Sequence, residues 1–73
     1  MKQVEFTLQT EFIALCNLLK LAGVAGSAGH GKHMVEVGEV KVDGQPESRK
    51  TAKIRAGQYV ECLGTRITVV GTP

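Results

Sequence analysis

Val4, Phe6 and Leu8 alternate with Glu5, Thr7 and Gln9 near the start of the chain, which is the period of a short half-buried strand. The period then lengthens. Phe12, Ile13, Leu15, Cys16, Leu18, Leu19 and Leu21 recur at helical spacing behind Thr10, an expected N-cap with Glu11 in the first turn, and Gly23 is the expected C′ stop. Only Glu11, Asn17 and Lys20 form a polar strip, so this helix should need cover on more than one side and should sit at the centre of the core. Ser27 predicts a second N-cap, opening a short helix from about Ala28 to Val37 that ends at Gly38. Gly29 and Gly31 each cost about 1 kcal/mol against alanine inside a helix. Either a ligand backbone or the first helix comes close there, and propensity does not decide between them.

After Gly38 the period returns to two, with Val40 and Val42 set between Glu39 and Lys41. Asp43-Gly44 is a strong two-residue hairpin signal, and Gln45 to Glu47 form the return strand, which Pro46 limits to an edge or a very short pairing. Ala56-Gly57 makes a turn before a strand from Tyr59 to Leu63, and Gly64-Thr65 a tight turn into a last strand from Arg66 to Val70. The expected fold class is α+β, two packed helices against a small, mostly antiparallel sheet. A chain of 73 residues has room for one core, so residues 1–73 are expected to form a single domain.

Composition narrows the function classes. No apolar run reaches the roughly 20 residues of a membrane span. The N-terminus interleaves charges with apolar residues where a signal peptide would be uniformly apolar, so the cytoplasm is the expected location. Cys16 and Cys62 read as reduced core thiols. The net charge is only +2, but SRKTAKIR carries Arg49, Lys50, Lys53 and Arg55 with no acid among them. Such a stretch is either a solvated basic loop or a local field that attracts phosphate through counterion release.

Three catalytic or metal readings fail on spacing. Gly26 to His33 resembles the nucleotide-binding pattern GxxxxGK, yet His33 stands where Ser or Thr must hold Mg²⁺, and no buried parallel strand precedes it. Cys16, Cys62, His30 and His33 make a zinc set by count alone, with no CxxC knuckle. As a Cys-His nucleophile pair they lack an orienting acid. No cofactor or metal is expected, and the chain is not expected to be an enzyme.

The run from Ser27 to Lys50, SAGHGKHMVEVGEVKVDGQPESRK, resembles the ribosomal-protein-S-four type RNA-binding domain. Its signature is a Ser-opened helix, then Gly-x-Val-x-Val-Asn-Gly, a basic loop and a Gly-Asp turn. TEFIALCNLLKLAGVAGSAGHGKHMV is similar to the small stand-alone bacterial subfamily called YbcJ-like or YaaA-like, and the resemblance spans roughly residues 5 to 63. Asp43 stands where the family usually has Asn, Gln58 where it usually has Asp, Gly31 where the subfamily commonly has Ala, and His30 where a carboxylate is common.

The resemblance implies the αL-motif fold and RNA binding through the second helix and the adjoining basic loop. Physical chemistry points the same way. A helix N-terminus presents free amides and about half a positive charge, and this one would carry Ser27, His30, Lys32 and His33. Arg49, Lys50, Lys53 and Arg55 would extend that field if the loop folds beside it, with Lys32, Arg49 and Lys50 expected to matter most. His30 and His33 are either solvated or bind phosphate in their charged form. Phe6 and Phe12 fall on apolar faces and are expected in the core, which leaves no stacking platform for single-stranded bases. The expected partner is therefore a structured RNA, ribosomal RNA or the ribosome among the candidates, bound by a monomer. A protein-interaction module docking on a ribosome-associated partner stands as the alternative.

Overall fold

The computed structural model describes residues 2–72. The chain runs β1 (Lys2–Leu8), β2 (Ile13–Ala14), α1 (Leu15–Leu21), α2 (Ala28–Glu36), β3 (Val40–Val42), β4 (Gln45–Pro46), β5 (Lys53–Ile54), β6 (Tyr59–Cys62) and β7 (Thr65–Gly71). Five strands form one sheet in the order β1-β7-β6-β3-β4, and β2 with β5 makes a separate two-stranded ribbon. This is the α+β arrangement that the periodicity predicts, with two additions, the β2-β5 ribbon and a parallel strand pair. The β1 and β7 strands pair in parallel, Lys2 opposite Thr65 through Leu8 opposite Gly71, while β7-β6, β6-β3 and β3-β4 are antiparallel.

The β7 strand takes the position beside β1 because its sequence, TRITVVG, is β-branched at most positions and suits a strand paired on both sides. Ile67 and Val69 of β7, Val60 and Cys62 of β6 and Val40 of β3 turn to one face and are buried. They meet Leu15, Leu18 and Leu19 of α1 and Met34 and Val35 of α2 in a single apolar cluster. Each fully buried aliphatic side chain of this kind is worth about 1.5–3 kcal/mol relative to exposure. Cys16 and Cys62 are buried free thiols, and burial pushes the Cys62 thiol above its ordinary range.

Both helices stop where their glycines predict. Gly23 and Gly38 have φ of +80° and +82°, and each closes a Schellman-type end. The Val24 N–H donates to the Leu19 carbonyl in the first and the Glu39 N–H to the Met34 carbonyl in the second. Ser27 caps α2 as expected, its Oγ accepting from the His30 N–H at 3.1 Å. Asp43-Gly44 forms the β3-β4 turn with φ of +51° and +81°, the pair of positive angles of a type I′ hairpin. The β6-β7 turn falls on Leu63-Gly64, one residue earlier than predicted, because Cys62 pairs with Thr65 and leaves those two residues at the tip.

The start of the first helix is a correction. Thr10 is no N-cap: its Oγ1 donates to the Phe12 carbonyl at 2.7 Å, and α1 begins only at Leu15, with no acid in its first turn. Ile13 and Ala14 instead pair with Ile54 and Lys53. An extended partner from much later in the chain outcompetes the first turn of an otherwise acceptable helix, which periodicity alone does not detect. The shortened helix buries Leu15, Cys16, Leu18 and Leu19, whereas Leu21 remains 61% exposed.

The two helical glycines separate in role. A Cβ on Gly31 would fall 2.8 Å from the Cys16 backbone oxygen of α1, so it is helix packing that requires glycine there. A Cβ on Gly29 would meet only Ser27 Oγ, at 3.9 Å. Gly31→Ala should therefore destabilise by about 1 kcal/mol, an overpacking cost of roughly 1–3 kcal/mol less about 1 kcal/mol of propensity gain. Gly29→Ala should stabilise by up to about 1 kcal/mol. Urea denaturation of the two variants checks the opposite signs, and equal shifts would discard the packing explanation.

Candidate nucleic-acid interface

The basic stretch is held from below by backbone hydrogen bonds. The N-cap of α1 is Ala14, whose side chain cannot accept, so the first helical amides need partners from elsewhere. The Leu15 N–H donates to the Ala52 carbonyl at 2.9 Å and the Cys16 N–H to the Lys50 carbonyl at 3.0 Å. Within the stretch the Ala52 N–H returns to the Arg49 carbonyl at 3.1 Å, closing a turn. Ala52 and Ile54 are buried while Thr51, Lys53 and Arg55 are exposed, the alternation of an extended segment lying on a core. The cationic side chains project from a segment whose backbone is fixed. Arg49, Thr51, Ala52 and Lys53 line an open groove of about 440 Å³.

The same anchorage sets the stretch beside α2. Gly31 of α2 lies against Cys16, whose amide holds Lys50, and Lys50 Nζ reaches Glu36 Oε1 at 2.7 Å in the last turn of α2. The Lys50 hydrogen bond and charge hold the Glu36 carboxyl below its ordinary value of 4.5, and the charges of His33 and Lys32 push the same way. Lys50 thus bonds the Glu36 carboxylate directly, while Lys32 and His33, one turn earlier on α2, act on it by charge alone. The loop meets the middle and C-terminal turns of α2, not its N-terminal tip.

At that tip the polar groups hold one another. Ser27 Oγ accepts from the His30 N–H, and His30 Nδ1 accepts from the Gly26 N–H at 3.2 Å.

Arg49 and Lys50 are both spent on acids. Arg49 Nε lies 3.2 Å from Glu47 Oε1, whose carboxylate also accepts from the Arg49 backbone N–H at 3.0 Å. That contact holds Glu47 low and Arg49 high. The Lys50–Glu36 pair is exposed on both sides and Arg49 keeps 77% of its side-chain surface in solvent over a largely covered Glu47, so the pairs screen the cations without locking them. Among the described residues Lys32, Lys53 and Arg55 pair with no carboxylate.

Phe12 is a second correction. It is not in the core: it is 39% exposed, with Lys53 Nζ 4.9 Å and Arg55 Cζ 5.8 Å from the ring centroid. Its spacing to Leu15, Cys16 and Leu19 suits a helix face, so no sequence signal marked it. Phe6 packs partly buried against the core as expected.

The end of the basic segment is braced by two departures from the family pattern. Gln58 Nε2 donates to Asp43 Oδ2 at 3.0 Å, Asp43 Oδ1 accepts from the Tyr59 N–H at 3.0 Å, and Gln58 Oε1 accepts from the Arg55 N–H at 2.7 Å. With the usual Asn and Asp at these positions, donor and acceptor would exchange ends, so the two departures compensate each other.

A helix pair on a small mixed sheet, with a pinned cationic segment alongside the second helix, defines a small α+β domain of the αL type. The S4 domain model matches residues 6–70, and the chain belongs to that family. It is 47% identical over 58 residues to YbcJ of Escherichia coli, covering 80% of this chain and 83% of that protein. It is 38% identical over 58 residues to the "Probable ribosome maturation protein RlbA" of Bacillus subtilis, covering 80% and 82%. A tyrosine–tRNA ligase of Burkholderia pseudomallei is 39% identical over 54 residues, which is 74% of this chain but 13% of the ligase. The solution structure of E. coli YbcJ, described as revealing an αL motif involved in RNA binding, superposes with a TM-score of 0.73 at 41% identity, covering 96% of this chain and 90% of that one.

Two measurements follow from these contacts. Asp43→Asn leaves one oxygen to serve both the Tyr59 and Gln58 donors and should cost about 1 kcal/mol. Adding Gln58→Asp should recover part of it, a double-mutant coupling of about 0.5 kcal/mol or more by thermal denaturation; additive effects would refute the compensation. Glu36 and Glu47 are depressed in the fold, so their stabilising pairs are complete above the ordinary 4.5 and are lost as pH falls through the lower folded values. The Glu36→Gln, Glu47→Gln double variant should show a shallower acid limb in stability against pH than the parent protein.

Proposed function

We propose that the chain is a non-catalytic RNA-binding domain that holds the phosphate backbone of a structured RNA, ribosomal RNA among the candidates, through α2 and the adjacent basic loop. The same reading has it act as a monomer in the cytoplasm. The observation that carries it is the anchoring of the basic segment on the first amides of α1, which keeps its cations exposed beside Lys32 and His33 of α2. Preorganised cations lose little freedom on meeting phosphate, and each contact formed releases counterions. The RNA-binding αL motif of YbcJ and the ribosome maturation named for RlbA support the same direction.

Within this reading the contributions differ from the order that sequence gives. Lys53 and Arg55 face solvent in no ion pair and Lys32 feels Glu36 only at a distance, while Arg49 and Lys50 must leave Glu47 and Glu36 to meet phosphate. Arginine offers a bidentate fork, so Arg49 still outweighs Lys50 once released. Ser27 and His30 serve chiefly to hold the α2 cap, with Ser27 able to donate its hydroxyl proton outward.

Binding to a structured RNA, followed by fluorescence anisotropy from low to moderate salt, tests the proposal. Arg49→Glu with Lys50→Glu, and separately Lys53→Glu with Arg55→Glu, should each weaken binding tenfold or more and reduce the salt slope by about one to two units. Glu36→Gln and Glu47→Gln should strengthen it severalfold by freeing their cations. Unchanged affinity in both charge-reversal variants, with the fold intact, would remove the basic segment from the interface. Binding that ignores salt would instead favour docking on a protein partner.

A further inference from the structure

We infer that Phe12 is a stacking platform for one unpaired base of the bound RNA, with Lys53 and Arg55 taking the phosphates on either side of that base. The inference rests on the proposed RNA interface and adds to it a contact with the base itself. The β2-β5 register sets the geometry: Ile13 lies opposite Ile54 and Ala14 opposite Lys53, so the next step of the ladder brings Phe12 across from Arg55. Side chains alternate on such a ribbon. Ile54 is buried and Ile13 packs against the core, which turns Phe12, Ala14, Lys53 and Arg55 to the opposite face. Ala14 is too small to fill its place, and Lys53 leans to 4.9 Å from the centroid of the Phe12 ring.

The outward face of the ribbon thus holds the one exposed phenylalanine among the described residues, two cations without acid partners, and one wall of the open groove, since Lys53 belongs to both. That is the composition of a stacking site: an aromatic face for a base of any identity and flanking charge for its backbone. A base in a continuous helix has both faces covered by its neighbours and cannot reach the ring. The substrate class is therefore a structured RNA carrying a bulged or otherwise unpaired nucleotide next to a helix. Leu21, Val37 and Leu63, the other large exposed apolar residues, are aliphatic and offer a base no aromatic face.

The test uses two RNAs, a stem-loop with a single bulged 2-aminopurine and the same stem fully paired. The wild-type protein should prefer the bulged stem by about tenfold, equivalent to about 1.4 kcal/mol, and should quench the 2-aminopurine on binding. Phe12→Leu, which keeps apolar bulk, should abolish both the preference and the quenching while leaving paired-stem affinity and its salt slope within twofold; Phe12→Tyr should retain both. A wild-type protein that binds both stems equally would overturn the stacking site and leave the phosphate interface standing, as would a preference that survives Phe12→Leu. Failure to bind either stem at low salt would overturn the interface and the stacking site together.

Discussion

The bond between the amide end of α1 and the carbonyls of the basic segment is the constraint on which the rest of the structure depends. A helix whose N-cap is Ala14 has no side chain there to satisfy its first N–H groups, and a buried unsatisfied amide costs roughly 1–3 kcal/mol. The Ala52 and Lys50 carbonyls satisfy those of Leu15 and Cys16. The same two bonds hold down a stretch whose charges would otherwise spread it through solvent. One local need of the helix fixes the position of four cations, and the burial of Ala52 and Ile54 decides which side chains face outward.

Electrostatics then divides those cations into two kinds. Arg49 and Lys50 rest on Glu47 and Glu36, which lowers the field of the free protein. Lys53 and Arg55 have no acid and lie over an aromatic ring. Exposed ion pairs are worth little to stability, so the first kind can change partners at small cost, whereas the second is available without any exchange. At the far end of the segment, Gln58 accepts from the Arg55 N–H and its amide in turn donates to Asp43, the reverse of the side-chain polarity that Asn and Asp at those positions would give.

Much of the fold was legible because it depends on local chemistry. Ser27, Gly23, Gly38 and Asp43-Gly44 each act within a few residues of themselves, and each ends or turns the chain where the sequence indicates. The parallel β1-β7 pair was not legible, since it joins residues more than sixty positions apart and neither strand carries a mark of its partner. The misplaced start of α1 has the same origin: Thr10 to Ala14 can form a helical turn, and only the presence of β5 makes extension the better choice. Phe12 followed that error into the predicted core. Of the candidate site, the residue types and the basic stretch were legible, but not which cations face acids, because Glu36 and Lys50 stand fourteen residues apart.

By itself, the sequence determined the class of domain, its helix stops, its hairpin and the positive charge of residues 49–55, because periodicity, capping and turn geometry are properties of short segments. Only the tertiary structure decided that the first helix starts late, that Gly31 is there for the sake of Cys16, and that Phe12 lies outside beneath Lys53 and Arg55. The physical reason is shared by all three. Each is set by a hydrogen bond or a contact between segments far apart in the chain, and such contacts exist only once the apolar faces have closed the core and brought those segments together.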